Sequence, residues 1–240
     1  GIAEAATGDA RVRLRDWSLV RESGAWHALA PARDFGLDLR CAPTQPVLLQ
    51  GDAGLSRKGP RPEQASDYYS EPQLAVSGKL SLQGRDFAVT GRAWMDHEWS
   101  DEYLAPEAAG WDWVGMNLDD GGALMAFRIR RKDGGTFWTG GAFRSGAGEL
   151  TIFGPNDLVF EPHRRWTSPL SNAGYPVEWG LRTPAGFYTV RAVIDNQELD
   201  SRGSTGAIYW EGLSDLIASD GRRVGRGYLE MTGYAAKLRM

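Results

Sequence analysis

Apolar and polar side chains alternate with a period of two along much of this chain, and long helical patterns are absent. That period places successive side chains on opposite faces of an extended backbone, so an all-β antiparallel fold is expected. In Arg11-Val12-Arg13-Leu14-Arg15 the arginines are expected to face out while Val12 and Leu14 face a core. Tyr188, Val190, Ala192 and Ile194 line one face of a later strand, with Thr189, Arg191 and Val193 on the other. Asp119-Asp120-Gly121-Gly122 and Lys132-Asp133-Gly134-Gly135 separate three β runs, 111–118, 123–131 and 136–143, into successive hairpins. Gly and Asp tolerate the positive φ that such turns need. Short helical turns are expected only near Pro106 to Ala109 and Ser214 to Ala218.

An internal repeat organises these strands. Gly91-Arg92-Ala93-Trp94-Met95-Asp96 matches Gly225-Arg226-Gly227-Tyr228-Leu229-Glu230 at an offset of 134 residues. Upstream of each copy lies an aromatic pair followed by an acid, Tyr68-Tyr69 with Glu71 and Tyr209-Trp210 with Glu211. Each block reads as an aromatic strand, a turn and a Gly-Arg strand that closes a unit. The second copy has 114 residues between Trp111 and Gly225, whereas only 90 precede Gly91. If the units are alike in size, the first lacks its opening strands, and an open sheet edge needs a partner. Another chain or a preceding segment is expected to complete it.

Charge and composition narrow the function. A net charge of −4 and a pI near 5.5 argue against nucleic acid or anionic lipid as partners. The 10 Trp, 8 Tyr and 8 Phe suit either a ring-filled core or an aromatic-lined ligand cavity. The single Cys, Cys41, allows no internal disulfide and is expected to be a buried or semi-buried thiol. No apolar run approaches the roughly 18 residues of a transmembrane helix, and no signal peptide is visible at the start.

The densest chemical candidate is Trp94-Met95-Asp96-His97-Glu98-Trp99. As a strand it presents Trp94, Asp96 and Glu98 on one face and Met95, His97 and Trp99 on the other. Two carboxylates on one face repel, so burial would raise the pKa of one and make it an acid near neutral pH. The plainer alternative is a closing strand whose polar groups hydrogen-bond nearby loops. His97-Glu98-Trp99-Ser100-Asp101 begins like a zinc-protease motif but ends in Asp outside a helix. With only 3 His, a three-His zinc site would need all of them to converge, and no metal or cofactor is expected. No G-x-S-x-G elbow exists. Ser56, in Gly54-Leu55-Ser56-Arg57-Lys58-Gly59, reads as a solvated turn more readily than as a polar loop over a cavity. Asp119-Asp120 reads as a hairpin turn rather than a calcium site.

Taken together, several of these segments resemble the AttH-like and carotenoid 1,2-hydratase (hydroxyneurosporene synthase, CrtC-like) family. They are Gly54 to Gly59, Tyr68-Tyr69-Ser70-Glu71-Pro72-Gln73-Leu74, Gly91 to Trp99, Gly110-Trp111-Asp112-Trp113, Tyr209-Trp210-Glu211-Gly212 and Gly225 to Tyr234. The resemblance implies two lipocalin-like antiparallel β-barrels side by side, the first lacking its N-terminal strands in this chain. The corresponding domains are 1–105 and 106–240. It implies a periplasmic or secreted location, the family label "predicted secreted hydrolase", and ABC-transporter components as partners. A small apolar ligand, lipid or isoprenoid, is the expected cargo, held in a barrel or an inter-barrel cleft. Carotenoid hydratases of the family add water to an alkene. The acid would then be Asp96, His97 or Glu98, and the binding wall Tyr69, Trp94, Trp99, Trp111 and Trp113. The strand Leu124 to Arg130 lacks the Tyr and Asp expected of such hydratases, which favours a relative with another ligand.

Overall fold

The protein was analysed as a computed structural model that describes residues 2–101 and 104–236. In chain order the strands are β1 (Ala3–Ala5), β2 (Arg11–Leu14), β3 (Trp17–Glu22), β4 (Ala25–Pro31), β5 (Phe35–Ala42), β6 (Leu48–Leu49) and β7 (Leu55–Arg57). Two long strands follow, β8 (Ala65–Leu82) and β9 (Arg85–Trp99). Next come β10 (Ala108–Leu118), β11 (Ala123–Arg131), β12 (Thr136–Arg144), β13 (Leu150–Phe153) and β14 (Val159–Thr167). The last are β15 (Gly174–Thr183), β16 (Gly186–Ala192), β17 (Glu198–Ser201), β18 (Ala207–Ala218) and β19 (Arg223–Met231). No helix occurs among the described residues. The expected helical turns are absent: Pro106 and Glu107 form a turn before β10, and Ser214 to Ala218 lie in β18, where backbone pairing to β16 and β19 satisfies their amides.

Both sheets are antiparallel. The first has nine strands in the order β1-β2-β3-β4-β5-β8-β6, with β7 and β9 also paired to β8. The second has ten, in the order β13-β12-β11-β10-β19-β18-β16-β15-β14, with β17 on β18. The two Asp/Gly turns join β10 to β11 and β11 to β12 as the sequence predicts. The chain divides into two compact units: Gly1–Val47 with Glu71–Met95, and Leu48–Ser70 with Asp96–Met240. Strands β8 and β9 each contribute one part to each unit.

The first unit has a small core of Trp26, Cys41 and Leu74, with Leu39, Val76 and Met95 packed on it. The Glu71 carboxylate is buried there and accepts from Arg21 Nη1 at 3.0 Å and Trp26 Nε1 at 2.9 Å. Val12 and Leu14, expected to face a core, are 49% and 48% exposed. The reason is that β2 is open to solvent on both faces, so alternation there marks a strand but not a covered side.

The second unit holds the main core. Val114 and Met116 of β10, Leu124 and Ala126 of β11, Leu229 and Met231 of β19 and Trp210 and Leu216 of β18 meet Tyr175, Trp179 and Leu181 of β15. These positions alternate along each strand, as period two demands. Val190 and Ala192 join them with Tyr188 packed alongside, whereas Ile194 lies beyond the end of β16 and is 62% exposed. One charge network sits on this inner face. The fully buried Asp112 carboxylate accepts from Arg128 Nη2 at 2.7 Å and Tyr234 Oη at 2.8 Å, and lies 3.2 Å from Arg130 Nε. Arg130 also donates to the Thr232 carbonyl and stacks on the Tyr234 ring.

Removing one partner of a buried charge network leaves the others unpaired, which costs about 3–5 kcal/mol. Asp112→Ala is expected to lose stability on that scale, read as a lower urea midpoint by tryptophan fluorescence. Tyr234→Phe, which deletes one hydrogen bond to the carboxylate, should lose about 1–3 kcal/mol. Equal midpoints for Asp112→Ala and the native chain would contradict a structural role for the network.

Candidate functional site

The strands that turn one face to the core of the second unit turn their other face to a cavity. On β10 the alternation sends Asp112 and Val114 inward and Trp111 and Trp113 outward. On β11 it sends Phe127 and Ile129 outward, and on β19 Glu230. Register then aligns them: Trp113 pairs with Phe127 on one side and Glu230 on the other, and Glu230 pairs with Glu211 of β18. Two glycines make room for rings. A Cβ on Gly115 would collide with the Trp113 indole, and one on Gly140 would meet the Phe127 ring at 2.8 Å. Close approach of that kind requires glycine.

The remaining wall comes from β8, β9 and the segments that follow β7 and β9. Tyr68, Asp96 and Glu98 line the cavity together with Lys58, in the loop after β7, and with Leu104. The cavity volume is about 280 Å³. Lys58 Nζ is 2.7 Å from Glu98 Oε1 and donates to Ser56 Oγ at 3.2 Å. It also lies 4.3 Å from the Phe127 ring centroid and 4.9 Å from that of Tyr68. Burial lowers its pKa, against the opposing pull of Glu98 and Asp96. The Tyr68 hydroxyl accepts from Trp113 Nε1 at 3.1 Å and bonds to Asp96. Burial, then the charges of Asp96 and Glu98, hold its pKa well above the ordinary tyrosine value. Ser70 Oγ donates to Asp96 and Ser66 Oγ to Glu98, each at 2.5 Å, and Gln50 Nε2 donates to Ser70 at 2.9 Å.

Glu230 is the unusual acid. Trp111 Nε1 donates to its Oε1 at 3.1 Å. Burial first, then the negative charge of Glu211, with smaller contributions from Asp96 and Glu98, pushes its pKa up to about 7. Burial also raises the pKa of Glu211.

The sequence-derived residues divide into two groups. Asp96, Glu98, Trp111 and Trp113 converge on the cavity. His97 and Trp99 lie on the opposite face of β9, as the strand pattern predicts. There His97 stacks on Tyr69 at 5.3 Å between ring centroids and meets Trp99 edge-on at 5.0 Å. Trp94 is half-buried in the first unit and does not line this cavity. Lys58, Tyr68, Phe127, Ile129 and Glu230 were not foreseen. The repeat offered a signal for Glu230, the counterpart of Asp96. Ser56, expected in a solvated turn, is 3% exposed because β7 packs it beneath the Lys58 ammonium.

No group of three or more His, Cys, Asp or Glu side chains among the described residues is arranged to hold a metal ion. The histidines have separate settings: His27 bonds Asp38, His97 stacks on Tyr69, and His163 Nδ1 lies 3.9 Å from Glu178. No helix among the described residues is long and apolar enough to cross a membrane.

The fold is lipocalin-like, built of antiparallel strands in two large sheets. Kievitone hydratase from Nectria haematococca superposes with a TM-score of 0.74 at 18% identity, over 94% of this chain and 70% of that one. An AttH protein from Nitrosomonas europaea superposes with a TM-score of 0.91 at 49% identity, over 96% of this chain and 72% of that one. The AttH-like family model matches residues 1–234, and the chain belongs to that family. No curated protein matches it significantly.

The raised Glu230 pKa has a consequence for stability. Its ordinary value is 4.5 and its folded value about 7. Folding therefore favours the protonated form. That contribution is fully present below about pH 4.5 and is lost as pH rises through about 7. Glu230→Gln is expected to match the native chain near pH 4.5 and to exceed it at pH 8 by on the order of 2–3 kcal/mol. Urea midpoints at both pH values check this; a constant difference between the two proteins would contradict it.

Proposed function

We propose that the protein binds a small, mainly apolar molecule of lipid or isoprenoid type in the cavity of its second unit. The observation that carries this reading is the lining itself. Trp111, Trp113, Phe127, Ile129 and Leu104 supply apolar walls, and a few convergent polar groups supply orientation. The core of the same unit is packed with Tyr175, Trp179 and Trp210, which favours the outward-facing cavity over a barrel lumen as the ligand's place.

A second reading is favoured by Glu230. An acid half-protonated near neutral pH beside aromatic rings suits hydration of an alkene, and kievitone hydratase shares the fold. In that reaction Glu230 gives its proton to an alkene carbon. Water then bonds to the resulting carbocation, and Asp96 or Glu98 takes the proton that water releases. His97, on the other face of β9, has no part in that step. Hydrolysis of an unidentified substrate finds no G-x-S-x-G elbow in the sequence to support it. A periplasmic or secreted location, ABC-transporter partners, a segment completing the first barrel and the domains 1–105 and 106–240 belong to the same proposal. They rest on membership of the AttH-like family.

Native mass spectrometry of the full-length protein from its host is expected to show a bound apolar molecule that Trp113→Ala loses. Incubation with acyclic polyenes should give a water adduct. That product should fall at least ~10²-fold in Glu230→Gln and persist in His97→Ala. No adduct from the native protein would remove the hydratase reading and leave the binding one; no bound molecule would remove the binding one.

A further inference from the structure

One nucleophile of the cavity takes no part in hydration or in apolar binding. Lys58, Lys79, Lys132 and Lys237 are the lysines of the chain. Lys79 is half-exposed beside Asp86 and Lys132 lies at an exposed turn, so both ammoniums meet water. Lys58 differs. Its side chain is 11% exposed, and it lines the apolar cavity with Trp111, Phe127 and Ile129. An amine attacks only with a free lone pair, so a lysine in water, protonated at neutral pH, is a poor nucleophile. Burial removes the hydration of the Lys58 ammonium and lowers its pKa, while Glu98 and then Asp96 pull it back up.

The partners of Lys58 are those that formation of an imine needs. Glu98 Oε1, 2.7 Å from Nζ, is placed to take a proton from the ammonium and to return it. Ser56 Oγ accepts a hydrogen bond from Nζ at 3.2 Å and holds the amine at the cavity wall. The Phe127 and Tyr68 ring centroids, 4.3 and 4.9 Å away, favour a cation at that nitrogen. A protonated imine keeps the single positive charge of the ammonium on the same nitrogen. Glu98, the two rings and the attraction of Asp96 therefore serve the product as they serve the free side chain.

We propose that Lys58 captures apolar aldehydes in this cavity as a protonated imine. The proposal rests on the apolar-binding reading above and narrows its ligand to a carbonyl compound. Glu98 takes one proton from the ammonium, and the freed nitrogen lone pair bonds to the aldehyde carbon. The carbonyl π pair moves to oxygen, which takes a second proton from nitrogen, giving a carbinolamine. The C–O bond then breaks, and the hydroxyl leaves as water with the proton that Glu98 held. The nitrogen lone pair closes the C=N bond. One ammonium and one aldehyde become one iminium and one water, with no change in charge and no oxidant or reductant. A cavity of about 280 Å³ lies near the roughly 300 Å³ lower end of ligand sites, which suits a short isoprenoid aldehyde better than a long one.

Geranial and geraniol, one isoprenoid body with and without the carbonyl, test this on the full chain. With geranial and sodium cyanoborohydride, which reduces an imine to a stable amine, intact mass spectrometry is expected to show one added geranyl group. Peptide mapping should place it on Lys58 at least tenfold ahead of Lys79 or Lys132. Lys58→Arg, which keeps a cation beside Glu98, should lose that label, and Lys79→Arg should retain it. Geraniol, followed by isothermal titration calorimetry, should bind and should slow the labelling. Geraniol binding with no label on Lys58, or with label spread evenly over the lysines, would overturn the imine and leave the apolar-binding reading standing. Absence of both geraniol binding and label would overturn both.

Discussion

A buried carboxylate holds the second unit together. Asp112 lies on the inner face of β10 and ties Arg128 and Arg130 of β11 to Tyr234 beyond β19. The Coulomb attraction inside a low-dielectric core offsets the cost of taking these charges from water only if every partner is present. The same residues also fix where the outer face points. Asp112 sits between Trp111 and Trp113, and Arg128 between Phe127 and Ile129, so clamping the inner side chains sets the pitch and register of the outer ones. The cavity is the reverse side of the charge network.

That two-faced use of three adjacent strands explains what the sequence disclosed and what it hid. Period two and the Asp/Gly turns reveal β10, β11 and β12, and they place Asp96 with Glu98 opposite His97 with Trp99. Tyr68 and Tyr69 are chemically alike and adjacent, and only the register of β8 against β6, β7 and β9 decides that Tyr68 enters the cavity while Tyr69 stacks on His97. Lys58 is harder still, because a lysine between Arg57 and Gly59 reads as solvated. Its burial depends on Glu98, forty residues away in sequence. Val12 and Leu14 show the converse. Alternation identifies a strand, but coverage is a tertiary property that the strand does not encode.

The repeat gains a chemical meaning from the structure. Asp96 and Glu230 are equivalent positions of the two copies, and both carboxylates line one cavity. Their environments separate them. Asp96 is exposed along β9, hydrogen-bonded by Ser70 and Tyr68, whereas the Glu230 carboxyl is buried against Trp111 and faces Glu211 across the ladder. Divergent surroundings of paired carboxylates push Glu230 toward its protonated form. Two copies of one strand motif thus supply two carboxyl groups in different settings to the same space.

The hydration reading draws on that asymmetry directly. A protonated Glu230 can deliver a proton, and the charge that delivery creates on a carbon skeleton is positive. The rings of Trp111 and Trp113 and the Asp96 carboxylate would stabilise that transient charge. A reaction that starts by protonating the ligand needs the neutral form of Glu230 and fades as pH rises through about 7, whereas burial of an apolar body has no such requirement. The pH dependence therefore separates a catalyst from a binding protein more cleanly than affinity does.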